Sequence, residues 1–241
     1  FHTELDGPHP YLAMEYVPGT DLRRLVERSG PLPVADAVYY IREAAEGLQH
    51  AHERGLVHRD VKPSNLMVSP DAGARPPRVK ILDLGLARAI EPASPDAGRG
   101  PTAPGSFLGT PDFVAPEQAA DPDRADARSD VYGLGATLHF LLTGSPPFPG
   151  GTLEEKMRRA ASEPPPSPAA ARPDVPAALD AAVRRMLARD PAERFQSAGE
   201  VAAALQSLAT VRPKAPEVPP DRDRAPGPQP DGAAMPDNLF D

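Results

Sequence analysis

Residues 58–65 read HRDVKPSN and lie between two apolar pairs, Leu56-Val57 and Leu66-Met67. A histidine, an arginine, an aspartate, a lysine and an asparagine packed this closely suit neither a core strand nor a core helix. Apolar anchors on both sides of such a polar knot predict a loop held rigidly against a core. Loops of that kind often carry chemistry.

The rest of the chain can supply that core. Its 241 residues suffice for one large domain or two small ones, and 40% of them are hydrophobic. The 34 prolines and 19 glycines cluster at 91–105, 162–176 and 211–236, marking loops and a tail around compact segments. The stretch RPKAPEVPPDRDRAPGPQPDG has almost no apolar periodicity, so residues 211–241 are expected to be flexible and partly extended; a proline-rich docking site is the functional alternative.

A formal net charge of −8 argues against nucleic acid and anionic membrane as partners. With no cysteine there are no disulfides and no thiolate metal sites, which is compatible with a cytoplasmic location. No apolar run reaches the roughly 18 residues of a membrane span. A signal peptide is absent too. The chain opens at Phe1 rather than at a methionine, so the expectation is a processed chain or an excerpt of something longer.

Outward from the loop, the pattern is mostly helical. Upstream, VADAVYYIREAAEGLQHAHERG (34–55) places Val34, Val38, Ile41, Ala45, Leu48 and Ala51 at spacings of three and four, predicting a helix that stops at Gly55. A shorter helix, capped by Thr20 or Asp21, ends near Gly30. Before it, YLAMEYV (11–17) reads as a strand that FHTEL (1–5) could pair with. Downstream, Leu66–Val68 and Val79–Leu82 bracket SPDAGARPPR as a hairpin. DVYGLGATLHFLLTG (130–144) is apolar nearly all round, as a helix at the centre of a bundle would be. Two further helices are expected at 175–190 and 197–209, the second opening on a Ser197-x-x-Glu200 capping box.

Two more polar segments belong with HRDVKPSN: ILDLG at 81–85 and GTPDFVAPE at 109–117. In this order and at these spacings the three resemble the catalytic loop, the DFG-type metal motif and the APE end of the activation segment of a protein kinase. The resemblance runs over about residues 8–210 and is to bacterial-type serine/threonine kinases of the eukaryotic-like superfamily. It implies an α+β, kinase-like fold: strand remnants and hinge at 1–19, a mainly helical C-terminal lobe at 20–210, and the tail at 211–241.

The resemblance also implies ATP and Mg2+ as cofactors and protein Ser/Thr hydroxyls as substrate. Asp60 would accept the hydroxyl proton, Lys62 would counter charge on the phosphoryl group, and Thr110 would hydrogen-bond both. Asp83 and Asn65 would hold magnesium, a hard cation that takes oxygen ligands. Met14, Glu15 and Val17 would form the hinge beside adenine, with Met67 as its apolar floor. His58 would support the loop, Asp130 would anchor its backbone, and Arg194 would pair with Glu117. Arg59 would grip an activating phosphate on Ser106 or Thr102.

Three family elements have no match: the glycine-rich loop, the lysine on the third strand and the helical glutamate that pairs with it. The front lobe is therefore expected to be encoded upstream or lost, and this chain alone to be nearly inactive. A non-catalytic scaffold and a small-molecule phosphotransferase are the competing readings. Against the first stand Asp60, Lys62, Asn65 and Asp83, which a scaffold has no chemical need to keep together; Lys62 and the GTPDFVAPE segment weigh against the second.

Overall fold

A computed structural model of the chain describes residues 2–4, 11–13, 15–69, 77–84 and 111–208. At the front, β1 (His2–Glu4) and β2 (Tyr11–Ala13) pair antiparallel, with His2 opposite Ala13 and Glu4 opposite Tyr11. That is the pairing expected of FHTEL and YLAMEYV, although residues 15–17 of the second stretch are not in a strand. A second sheet has the order β3-β4-β5, formed by Thr20–Asp21, Leu66–Ser69 and Arg78–Ile81, all antiparallel. Strand β4 alternates: Leu66 and Val68 are buried, while Met67 and Ser69 are half-buried on the other face. Gly19 leads into this sheet so closely that a Cβ there would sit 2.1 Å from the Val68 carbonyl oxygen.

Asp21 serves both the sheet and the next helix. Its carboxylate accepts the N–H of Arg24 at 2.9 Å, capping α1 (Leu22–Ser29). Helix α2 (Val34–His52) ends three residues before Gly55, because the chain tightens into a turn at 53–55. Downstream come α3 (Pro116–Ala120), α4 (Ala127–Thr143), α5 (Leu153–Ser162), α6 (Pro168–Ala171), α7 (Ala177–Met186) and α8 (Ala198–Gln206).

Helix α4 is the centre of the lobe. Val131, Leu134, Leu138, Leu141 and Leu142 are fully buried, each worth roughly 1.5–3 kcal/mol of transfer free energy. α2, α7 and α8 pack around it. It starts three residues before the predicted Asp130 because Asp126 caps it through the Arg128 N–H, and Gly144 closes it at φ +77°. Gly133 is where α4 meets the loop of interest: a Cβ there would lie 2.8 Å from both Cβ and O of Val61.

Further differences from expectation concern helix capping. Helix α5 was not anticipated, although Thr152 and Glu155 form a capping box in both directions. The box predicted for α8 is only half made. Ser197 accepts the Glu200 N–H at 3.1 Å, but the Glu200 carboxylate reaches back to the N–H of Gln196 rather than Ser197. Among the described residues, no helix is long and apolar enough to cross a membrane.

Candidate active site

The loop 58–65 leaves the end of α2 and runs into β4 through a single 3₁₀ turn at Pro63–Asn65, against which α1 packs. Its first half hangs on Asp130, which is 1% exposed. One carboxylate oxygen accepts the His58 N–H at 2.8 Å and the other the Arg59 N–H at 2.7 Å. His52 Nε2 donates to the same group at 2.8 Å. Hydrogen bonds to an ionised acceptor are about twice as strong as neutral ones.

His58 is buried with both ring nitrogens engaged. Nε2 donates to the Leu82 carbonyl at 2.9 Å, and Nδ1 accepts the Asp60 N–H at 3.3 Å. These partners fix the neutral Nε2–H tautomer. The ring is thus a strut between the loop and the segment that leads to Asp83.

Asp60, Lys62 and Asn65 converge. Lys62 Nζ lies 2.6 Å from Asp60 Oδ2. The Asn65 amide donates to the same oxygen at 3.0 Å and to the Asp60 carbonyl at 2.9 Å, leaving Oδ1 as its acceptor. The Asp60 side chain is 44% exposed, so its carboxylate remains open to solvent while held by two donors. The Asn65 carbonyl in turn accepts the Leu82 N–H at 2.8 Å. Leu82, the neighbour of Asp83, is therefore gripped at both backbone groups by the loop.

Arg59 and Asp83 are the non-glycine residues with positive φ among those described, at 67° and 57°. Such a conformation costs on the order of 1–3 kcal/mol and persists only where surrounding bonds over-determine it. Here those bonds come from Asp130 on one side and from the clamped Leu82 on the other.

Asp83 lines a cleft of about 330 Å³ together with Glu15, Val17, Met67 and Lys80. That volume is within the range of small-molecule sites. Met67 and Lys80 sit opposite each other in the β4–β5 ladder, and Lys80 Nζ lies 2.5 Å from Glu15 Oε1. A larger cavity of about 430 Å³, lined by Val26, Phe113 and Phe140 among others, shares no residue with this cleft.

Behind the site, Arg194 is fully buried and forks onto Glu117 with contacts of 2.7 and 2.8 Å. Its remaining donors satisfy the carbonyls of Ala188, Arg128 and Arg189. Burial alone would raise the Glu117 carboxyl, but the hydrogen bonds and charge of Arg194, with the Ser129 hydroxyl at 2.8 Å, hold it below the usual range. Beside it, Gln118 Nε2 donates to the Arg59 carbonyl at 2.5 Å.

Of the residues singled out in the sequence, Asp60, Lys62 and Asn65 form one cluster and Glu15, Val17, Met67 and Asp83 one cleft, joined through Leu82. Met14, Thr102, Ser106 and Thr110 lie outside the described residues. Sequence reasoning missed His52, Lys80 and Gln118. Lys80 opposite Met67 was recoverable from the hairpin register; the other two depend on contacts across 78 and 59 residues of chain. The Asp83 carboxylate and the Asn65 amide oxygen are hard-oxygen groups of the kind magnesium takes, while no group of three or more His, Cys, Asp or Glu side chains forms a ready metal site among the described residues.

The profile of the protein kinase domain matches residues 2–206. The serine/threonine-protein kinase PknB of Mycobacterium tuberculosis is 40% identical over 219 residues, covering 90% of this chain and 33% of that protein. PknB of Mycobacterium leprae is 39% identical over 220 residues, 91% of this chain and 34% of that one. The chain thus spans about a third of the length of these relatives. Among solved structures, a double mutant of the PknI kinase domain of Mycobacterium tuberculosis superposes with a TM-score of 0.59 at 30% identity, covering 81% of this chain and 65% of that one. Rad53 in complex with AMP-PNP, at a TM-score of 0.64 and 24% identity over 87% of this chain and 50% of that one, is alike in fold. The chain belongs to the protein kinase domain family.

Proposed function

We propose that this chain carries the catalytic lobe of a serine/threonine protein kinase, which moves the γ-phosphoryl group of ATP to protein hydroxyls. The observation that carries the reading is the meeting of Asp60, Lys62 and Asn65 within 2.6–3.0 Å, one residue away through Leu82 from the cleft that Asp83 lines.

In this reading the exposed Asp60 carboxylate accepts the proton of the substrate hydroxyl as its oxygen bonds to the γ-phosphorus. The bond from that phosphorus to the bridging oxygen breaks, and ADP leaves. Lys62, already beside Asp60, counters charge on the group in transfer. Asp83 and the Asn65 amide oxygen would hold magnesium, whose contribution is to neutralise the crowded phosphates. Backbone groups of Glu15 and Val17 would face the adenine edge beside Met14, with Met67 as floor. Thr110 would bond Asp60 and Lys62 from the substrate side, and Arg59 would receive a phosphate on Ser106 or Thr102.

The same proposal divides the chain into strands and hinge at 1–19, catalytic lobe at 20–210 and tail at 211–241, and places it in the cytoplasm, where ATP and protein substrates are at hand. The complete phosphate clamp also needs the glycine-rich loop and the third-strand lysine of a front lobe, for which the sequence offers no match. The test is an Asp60→Asn variant of the full-length protein, with its glycine-rich loop and third-strand lysine present, assayed for transfer from ATP labelled at the γ position and separately for ATP binding. Loss of transfer with binding retained supports the assignment. Equal transfer by variant and parent contradicts it, and ATP binding with no transfer by either favours the scaffold reading.

A further inference from the structure

Arg59, bent to φ +67°, has both backbone polar groups held from distant parts of the chain. Its N–H donates to Asp130 at 2.7 Å, and its carbonyl accepts from Gln118 Nε2 at 2.5 Å. That carbonyl shares one rigid peptide plane with the N–H of Asp60, and this N–H points at His58 Nδ1, 3.3 Å away. Fixing one edge of the plane fixes the other. The direction in which Asp60 leaves the backbone is therefore set in part by a side chain on α3.

The connection closes on itself. Gln118 follows Glu117, and Asp130 follows Ser129. The Ser129 hydroxyl donates to Glu117 at 2.8 Å, as Asp130 accepts from Arg59 and Gln118 donates to it. The ring runs from α4 to α3 to the loop and back to α4, each step a hydrogen bond or a covalent neighbour. Glutamine suits its place because Nε2 is a neutral donor; a carboxylate there would set two acceptors face to face.

We infer that Gln118 is a positioning residue for Asp60, making the aim of the Asp60 carboxylate conditional on the seating of α3. The kinetic part of this inference rests on the proposed role of Asp60; the geometric part does not. Losing a hydrogen bond that restrains a strained peptide should lower kcat about tenfold while leaving KM for ATP within about twofold.

The experiment compares the full-length parent protein with its Gln118→Met and Gln118→Glu variants, by amide hydrogen exchange at Asp60 and by steady-state transfer. Exchange at Asp60 is expected to accelerate about tenfold or more in both variants, with the amide of Leu138 in α4 unchanged as an internal check on folding. In Gln118→Glu the rate relative to the parent should climb as pH falls from about 8 to about 5, because the protonated carboxyl regains a donor for the Arg59 carbonyl. Gln118→Met has no such recovery. Unchanged Asp60 exchange in both variants overturns the inference, as does an equal, pH-independent loss of kcat in the two. If the parent itself transfers no phosphate, the role given to Asp60 fails, and the exchange result alone then upholds or overturns Gln118.

Discussion

Asp130 and Arg59 are 71 positions apart in the chain, yet the buried carboxylate of one holds the backbone N–H of the other at 2.7 Å. The contact joins the most buried helix of the lobe to the residue that precedes Asp60. Because the same carboxylate also accepts from His58 and His52, its removal would leave three donors, the His58 N–H buried and the other two partly so, to re-pair.

Asp130→Asn keeps the shape and loses the charge, and its amide nitrogen must face at least one N–H. Urea unfolding should show a loss of roughly 3 kcal/mol, the usual consequence of breaking a buried charged network. Transfer should fall more steeply than stability at temperatures where the variant is still folded. A change below about 0.5 kcal/mol, typical of an ordinary surface substitution, would mean that the loop is held by other means.

Arg194→Met should cost about 3–5 kcal/mol, since it strands the Glu117 carboxylate away from solvent. The pH dependence carries a second signature. Glu117 has an ordinary value of 4.5 and is held below it in the folded chain, so its contribution to stability is complete above that pH. It is lost as pH falls through the lower, folded value, because the unfolded chain binds the proton first. Stability measured from about pH 6 downward should therefore fall less steeply in Arg194→Met than in the parent, whose arginine is what keeps the carboxyl ionised. Parallel curves would contradict the pairing.

Much of this architecture was legible because it is local. The apolar face of 34–52, the nearly uniform apolar run of α4 and the alternation in β4 each follow from a period of 3.6 or 2. The cluster of Asp60, Lys62 and Asn65 was legible for a related reason: six positions and one 3₁₀ turn suffice to fold the asparagine back onto the aspartate. What could not be read is what distant segments do to one another. Nothing in the neighbourhood of Gln118 or His52 announces a partner in the loop, since their roles exist only once α3 and α2 have been placed. Helix α5 is a different matter: its Thr152-Leu-Glu-Glu155 opening was readable as a capping box, but the sequence reading places no element between the helix ending near Gly144 and the proline cluster at 162–176. Thr20–Asp21 was read as a cap and is also a strand, because Gly19 lets the backbone lie directly on Val68.

Glycines at close approaches give a graded test of packing at the site. In Gly133→Ala the new methyl meets Val61 Cβ and carbonyl oxygen at 2.8 Å, and the backbone cannot yield without moving the loop. A loss of about 1–3 kcal/mol is expected, together with lower transfer. In Gly47→Ala the methyl meets only the tip of the Ile81 side chain at 3.0 Å, which can rotate aside. There the helix-propensity gain of about 1 kcal/mol should offset most of the strain. Equal thermal shifts for the two variants would count against the tight contact of α4 with the loop.

In the proposed mechanism Asp60, Asn65 and Asp83 face one metal-nucleotide cleft. The most direct test of this is paramagnetic broadening of backbone amide resonances when manganese, in place of magnesium, is added with ATP to the isotope-labelled chain. The amides of Asp60, Asn65, Leu82 and Asp83 should broaden first and together, ahead of those in α7 and α8. Broadening centred on another surface, or spread without preference over acidic residues, would contradict it.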